Sequence, residues 1–311
     1  MNKFTERRSF LKTVFASPAL ALTGGMLLNA ASSTAQTSAV QGAGSKLRVS
    51  LNAYSFNEPL TKKTMSLDDL LDFCAENNFD AVDLTGYYFP GYPNVPEDDY
   101  IFHLKKKAHR LGLDISGTGV KNDFTNPDKG KRNDDIKLIK KWIEVAAKLG
   151  APVIRIFAGL NIPEGHNWDE VATWIVKDIK ECADYGKAHG VIVAMQNHND
   201  FIKTAEQAQK IIEQVQSDWF GLVLDIGSYR TGDPYTQIEK TAKFAVNWQL
   251  KELMFLDNRE QKTDLQKIIS IIKASGYRGY VPIETLGAGN PKIKVPAFLA
   301  EVRNALALNG L

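Results

Sequence analysis

The chain has 311 residues, 44% of them hydrophobic and 24% charged, which is enough apolar material for one large core and too much for a disordered or fibrous protein. Its formal charge of +2 excludes a strongly basic nucleic-acid-binding surface, and two cysteines are too few for a disulfide framework.

In chain order, the first element is a leader. Arg7-Arg8-Ser9-Phe10-Leu11-Lys12 precedes a mildly apolar run from Val14 to Leu28 and a small-residue stretch ending Ser33-Thr34-Ala35. Residues 1–35 resemble a twin-arginine export signal, so the expected destination is the periplasm and the expected partner is the twin-arginine export machinery. Pro18, Thr23, Gly24 and Gly25 interrupt the run, which falls short of the roughly 20 apolar residues a spanning helix needs. Anchoring by an uncleaved leader is the alternative. Cleavage after Ala35 removes Lys3, Arg7, Arg8 and Lys12 with Glu6, turning the formal charge from +2 to −1.

A polar linker, residues 36–45, leads into a regular alternation over residues 46–311. β-Branched and aromatic runs predict strands at Arg48–Tyr54, Ala81–Tyr87, Asp114–Gly119, Val153–Ala158, Val191–His198, Gly221–Ile226, Asn247–Leu253 and Tyr280–Thr285. Between them, apolar residues at three- and four-residue spacing predict helices at Leu67–Asn77, Ile136–Leu149, Val171–His189, Ala205–Val215 and Leu265–Ala274. Gly150, Gly190 and Gly276 stand just past such helices, where a left-handed residue ends the turn. Eight strand–helix units without a composition break predict a single α/β domain, a (β/α)8 TIM barrel. Cys74 and Cys182 fall inside helical patterns and read as buried free thiols.

In such a barrel the reactive groups sit at the C-terminal strand ends. Strand five ends Gln196-Asn197-His198, strand six carries Leu224-Asp225-Ile226-Gly227, strand seven Gln249-Leu250-Lys251 and strand eight Ile283-Glu284. Period-two alternation puts Gln196 with His198, and Gln249 with Lys251, on one face of their strands.

Together with Gly232-Asp233-Pro234, these segments resemble the xylose isomerase-like TIM-barrel family of sugar isomerases, ketose 3-epimerases, inosose dehydratases and endonuclease IV-type nucleases. The resemblance implies one divalent ion, manganese or magnesium, held by Gln196, Asp225, Gln249 and Glu284. Asp225 and Glu284 match the family's ligands, whereas Gln196 stands for a Glu and Gln249 for a His. An all-oxygen set with two charges suits a hard cation and disfavours zinc. The nuclease reading fails on histidine: of five, His103, His109 and His189 fall in outer helices or at their ends.

An amide at Gln196 rules out the family's paired-carboxylate epimerisation, because it is no base near neutral pH. The expected chemistry is metal-assisted proton transfer beside the carbonyl of a non-phosphorylated sugar, with Glu284 or Asp225 as base, His198 as acid or base, and the metal or Lys251 stabilising the developing enolate. No phosphate-cradling glycine loop is present. Hydration or elimination on a 3-keto-sugar or keto-glycoside, and sugar binding without turnover, are the alternatives. A Schiff-base role for Lys251 requires a lowered pKa. Tyr54, Phe56, Tyr87 and Arg155, with His198 and Lys251, are expected to contact the substrate, and Tyr88, Phe89, Tyr92, Phe124 and Phe157 are further aromatic candidates near the mouth.

Overall fold

The structure is a computed structural model that describes residues 47–311. The predicted leader, its cleavage site and the linker lie outside the described residues.

Eight parallel strands close into a barrel: β1 (Arg48–Asn52), β2 (Ala81–Thr85), β3 (Asp114–Gly119), β4 (Val153–Phe157), β5 (Ile192–Gln196), β6 (Phe220–Asp225), β7 (Ala245–Lys251) and β10 (Tyr280–Glu284), the last pairing back onto β1. The predicted strands are therefore all present, most of them a residue or two shorter at the C-terminal end, where the chain turns into the loops. The predicted seventh strand needs a larger correction. It breaks at Glu252, and the chain continues into an antiparallel hairpin, β8 (Leu253–Leu256) with β9 (Arg259–Lys262), turning through Asp257 and Asn258 at φ of 46° and 60°. Asp and Asn tolerate that left-handed backbone, which two-residue hairpin turns demand; Asp257-Asn258 was the missed signal.

The outer helices are α1 (Asn57–Thr61), α2 (Leu67–Glu76), α3 (Asp98–Arg110), α4 (Lys129–Leu149), α5 (Trp168–His189), α6 (Ala205–Val215), α7 (Pro234–Thr241), α8 (Leu265–Ala274) and α9 (Pro291–Leu308). Local chemistry starts and stops them. Ser66 with Asp69, Asn167 with Glu170 and Thr204 with Gln207 form reciprocal capping boxes at α2, α5 and α6. Gly150 and Gly190 end α4 and α5 in the left-handed conformation. The apolar stripes then bury Leu70, Leu71 and Cys74 of α2, and Ile136, Ile139, Ile143 and Ala146 of α4, against the outward side chains of the strands. Each buried Leu or Ile contributes roughly 1.5–3 kcal/mol.

The barrel interior is layered. Val153, Ala194 and Val223, with Ile192 and Val246 against them, form a separate small apolar cluster. Two residues further along β4, β5 and β6 stand Arg155, Gln196 and Asp225, so the period of the strand raises a polar layer directly above the apolar floor. On β7 the register slips opposite Leu222 and Val223, leaving Val246 as the extra residue. This bulge brings Gln249 level with Asp225.

Candidate active site

The four last strands of the barrel deliver their polar ends to one point. Asp225 is fully buried, and its carboxylate accepts from the Nε2 of Gln196 at 2.8 Å and from the backbone N–H of Gly227 at 2.9 Å. Asn197 fixes the backbone beneath it, donating to the Asp225 carbonyl at 3.0 Å and accepting from the Asp225 N–H at 2.8 Å. The Nζ of Lys251 stands 2.9 Å from Asp225 and 3.0 Å from Glu284, which is itself 3% exposed. One ammonium thus bridges two carboxylates that come from β6 and β10.

The electrostatics follow from burial and proximity. Burial works to raise the Asp225 carboxyl, but the Lys251 ammonium, with His198 and Gln196, holds it below the ordinary value. Burial works to lower Lys251, yet Asp225 and Glu284 push it well above the usual lysine range. A Schiff-base role needs the opposite shift, so the pairing with Asp225 and Glu284 favours Lys251 as an electrostatic group.

The expected ligands of a divalent ion do come together here, but around a lysine. Lys251 engages both carboxylates that would be needed to hold a divalent ion. Gln196 turns its NH2, a donor, toward Asp225, and so presents no oxygen to that point. Among the described residues no three His, Cys, Asp or Glu side chains cluster to hold a metal. Two carboxylates, two amides and an ammonium carry a net charge of −1, and a divalent ion would have to displace Lys251 from both carboxylates. The residues do not fit a resident divalent ion.

This cluster forms the base of a cavity of about 1070 Å³ at the C-terminal end of the barrel. Gln249, Gln196, Lys251 and Glu284 line it, as do Tyr54, Tyr87, Arg155, Phe157 and His198. Arg155 is held by its Nη1 donating to the Val120 carbonyl and its Nη2 to the Tyr87 hydroxyl, both at 2.7 Å, with its guanidinium 4.2 Å over the Phe157 ring. His198, half exposed, lies at the mouth, where its Nδ1 pairs with Asp200 at 2.7 Å and its ring meets Phe157 edge-on. Every predicted substrate contact except Phe56 therefore faces one space.

Phe56 is a correction. It is fully buried against Phe73 of α2, with ring centroids 4.8 Å apart, and belongs to the shell between barrel and helices. Phe89 and Phe124 are likewise buried in that core, and Tyr92 packs on Trp142. Aromatic residues just past a strand serve the helix layer as readily as the mouth, because the chain turns there through a 3-10 helix, Ala53–Phe56, in which residues two apart point to different sides.

Sequence reasoning missed several lining residues, among them Asn52, Lys121, Asn122 and Arg230. It also missed Asp83. This residue lies in β2 in register with Asn52, and its carboxyl is buried, which pushes it up to about 6 against the pull of Arg155, with Glu284 adding to the rise. A charged residue in the inward phase of an apolar strand, Ala81-Val82-Asp83-Leu84-Thr85, was the available signal. Gly117 makes room for it, since a Cβ there would lie 2.6 Å from the Asp83 carboxylate.

A model of the xylose isomerase-like TIM-barrel family matches residues 71–302. No curated protein sequence matches the chain. Among solved structures, D-psicose 3-epimerase from Clostridium cellulolyticum H10, crystallised with D-tagatose, is similar at a TM-score of 0.70 and 16% identity, covering 84% of this chain and 99% of that one. The 3-keto-D-glucoside 4-epimerase of E. coli gives a TM-score of 0.68 at 14% identity, covering 83% and 100%. An L-ribulose 3-epimerase gives 0.68 at 17% identity, covering 85% and 97%. At such identities the likeness speaks for the fold, and the chemistry rests on the site itself.

Proposed function

The chain belongs to the xylose isomerase-like TIM-barrel family, and we propose that it is a sugar isomerase or epimerase-type enzyme that moves a proton beside the carbonyl of a non-phosphorylated sugar. The observation that carries this reading is the Lys251 ammonium held between Asp225 and Glu284. An ammonium has three N–H donors, of which two serve the carboxylates, leaving the third for an oxygen in the cavity that Lys251 lines. A substrate carbonyl bound there gains negative charge as its neighbouring carbon loses a proton, and a fixed cation in a site shielded from water stabilises that charge.

Glu284 is the base in this reading. It lines the cavity at the end of β10, and takes the proton from the carbon next to the carbonyl to give an enediolate whose oxygen faces Lys251. Returned to the adjacent carbon on the same face, while the hydroxyl proton passes from the neighbouring oxygen to the former carbonyl oxygen, the proton completes an isomerisation. Gln196 does not supply a second base, so return on the opposite face needs another acid. Asp225 serves as the counter-ion that positions Lys251. Tyr54, Tyr87 and Arg155 supply hydroxyl contacts and a ring face to the sugar.

One observation favours a second reaction from the same enediolate. His198 is paired with Asp200 at the open side of the cavity, where an imidazolium would protonate a departing oxygen, so elimination or its reverse, hydration, on a keto-sugar follows if the substrate carries a leaving group there.

The test is proton exchange in heavy water. Keto-hexoses and aldoses are incubated with the protein in D2O and followed by NMR. Deuterium is expected at the carbon beside the carbonyl, together with either isomer or eliminated product, and Glu284→Gln is expected to abolish it. Binding of these sugars with no exchange by the wild type would replace the enzyme reading with that of a sugar-binding barrel.

A further inference from the structure

Beyond the end of β7 the cavity has a second set of walls. Arg230 comes from the loop after β6, Leu253 and Phe255 from the β8–β9 hairpin, and Leu286 from the loop after β10; all four line the same cavity as Lys251 and Glu284. The hairpin is fixed in place. Its base is tied by Thr263, whose hydroxyl donates to the Lys251 carbonyl at 2.7 Å and whose N–H donates to that of Glu252 at 2.9 Å. Its tip is tied by the Asn258 N–H, which donates to the Arg230 carbonyl at 2.8 Å.

Two features of this outer part are unspent. The Arg230 guanidinium stacks 4.3 Å over the Phe255 ring, yet its Nε is buried with no hydrogen-bond partner. The stacked pair gives the cavity one flat wall. In addition, Leu160, Leu253 and Leu286 all line the cavity and are 51%, 39% and 42% exposed. Large apolar side chains gathered at the rim of one pocket mark a surface that is covered when the site is filled.

Size points the same way. The cavity volume of about 1070 Å³ stands at the top of the range of about 300–1000 Å³ that encloses drug-sized ligands. A single pyranose seated on Lys251 and Glu284, against Tyr54 and Tyr87, leaves the outer walls at Leu253, Phe255 and Leu286 in contact with water.

We propose that the outer walls form a subsite for a second ring joined to the reacting sugar through a glycosidic oxygen, so that the substrate is a keto-glycoside and not a free monosaccharide. The inference rests on the carbohydrate reading above. The ring presents a face to the Phe255–Arg230 wall, and its edge covers Leu253 and Leu286. An aryl group and a second sugar both have that chemistry.

The experiment measures kcat/KM and Kd for 3-ketoglucose and for its methyl, phenyl and glucosyl glycosides. The phenyl or glucosyl compound is expected to exceed the methyl glycoside by tenfold or more. That ratio is expected to fall below threefold in Phe255→Ala and to persist in Phe255→Tyr, which keeps the ring. A gain confined to the phenyl compound identifies an aryl aglycone, and a gain confined to the glucosyl compound identifies a disaccharide. Equal values for the three glycosides and the free sugar in the wild type would overturn the subsite while leaving the carbohydrate reading intact. Failure of all four to bind would overturn the subsite, and absence of binding and exchange with the keto-hexoses and aldoses as well would overturn both.

Discussion

A Cβ on Gly227 would stand 2.8 Å from the Cδ of Lys251, so the glycine two residues after Asp225 makes room for the stem of the ammonium that this aspartate holds. The same glycine donates its N–H to the Asp225 carboxylate. Gly227→Ala is expected to displace Lys251 and lower kcat/KM at least tenfold, at an overpacking cost of about 1–3 kcal/mol. Steady-state kinetics beside urea unfolding check it, and unaltered kinetics with unaltered stability would contradict the close approach.

Lys251→Met leaves two buried carboxylates without their cation. Removal of one partner from a buried ion pair costs about 3–5 kcal/mol, and the facing carboxylates then hold their folded-state pKa values above the unfolded ones. Protons therefore favour the folded variant, and its deficit against the wild type is expected to be larger at pH 8 than at pH 5. Paired denaturant melts at the two pH values measure this.

With Lys251 between Asp225 and Glu284, the site is expected to work without a divalent ion. Dialysis against EDTA is expected to leave turnover unchanged, and millimolar Mn²⁺ or Mg²⁺ to leave the Tm where it was, since a ligand that bound the folded state would raise it. Loss of activity on chelation that Mn²⁺ restores would return the site to the metal-dependent arrangement.

Asp83 makes stability depend on pH in the direction opposite to an ion-paired carboxylate. Its folded-state pKa is raised from 3.8 to about 6. Below the lower value both states are protonated; between the two values the unfolded chain loses its proton while the folded one keeps it, so stability falls as pH rises, by a total of about 3 kcal/mol above the upper value. Asp83→Asn is expected to remove that fall. Melting curves of both proteins between pH 4 and pH 7 decide it, within this window taken as roughly that of the two pKa values.

Cys74 and Cys182 are buried free thiols, and burial pushes both well above the usual thiol range. A thiol that does not ionise is a poor nucleophile. Ellman's reagent is expected to find no reactive thiol in the native protein and both in denaturant.

For the leader we propose export by the twin-arginine route, as its Arg7-Arg8 pair suggests. Replacement of both arginines by lysine is expected to keep the protein in the cytoplasm in its full-length form, read by fractionation and N-terminal sequencing. Unaltered processing of the variant would exclude that route.

Eight strands and five of the helices, α2, α4, α5, α6 and α8, were legible because each is specified by residues close in sequence. The period of Ile136, Ile139 and Ile143, the capping pair Asn167 and Glu170, and the stop at Gly190 each act over a turn or less. The β8–β9 hairpin was not, because its apolar start, Leu253, continues the pattern of β7 and the break at Glu252 has no strong local mark. Phe56 and Tyr54 illustrate the same limit: two residues apart beside one strand end, one packs into the helix layer and the other faces the cavity.

The sequence by itself determined that Gln196, Asp225, Gln249, Lys251 and Glu284 stand at the ends of successive strands on inward phases, since the period of two and the order of the strands are properties of the chain. Which cation joins Asp225 to Glu284 was decided only in three dimensions. The reach of the Lys251 side chain, the bulge at Val246, the space above Gly227 and the pairing of Gln196 with Asp225 together put an ammonium at 2.9 and 3.0 Å from the two carboxylates. Distances between groups on different strands are set by barrel closure and stagger, which no local pattern encodes.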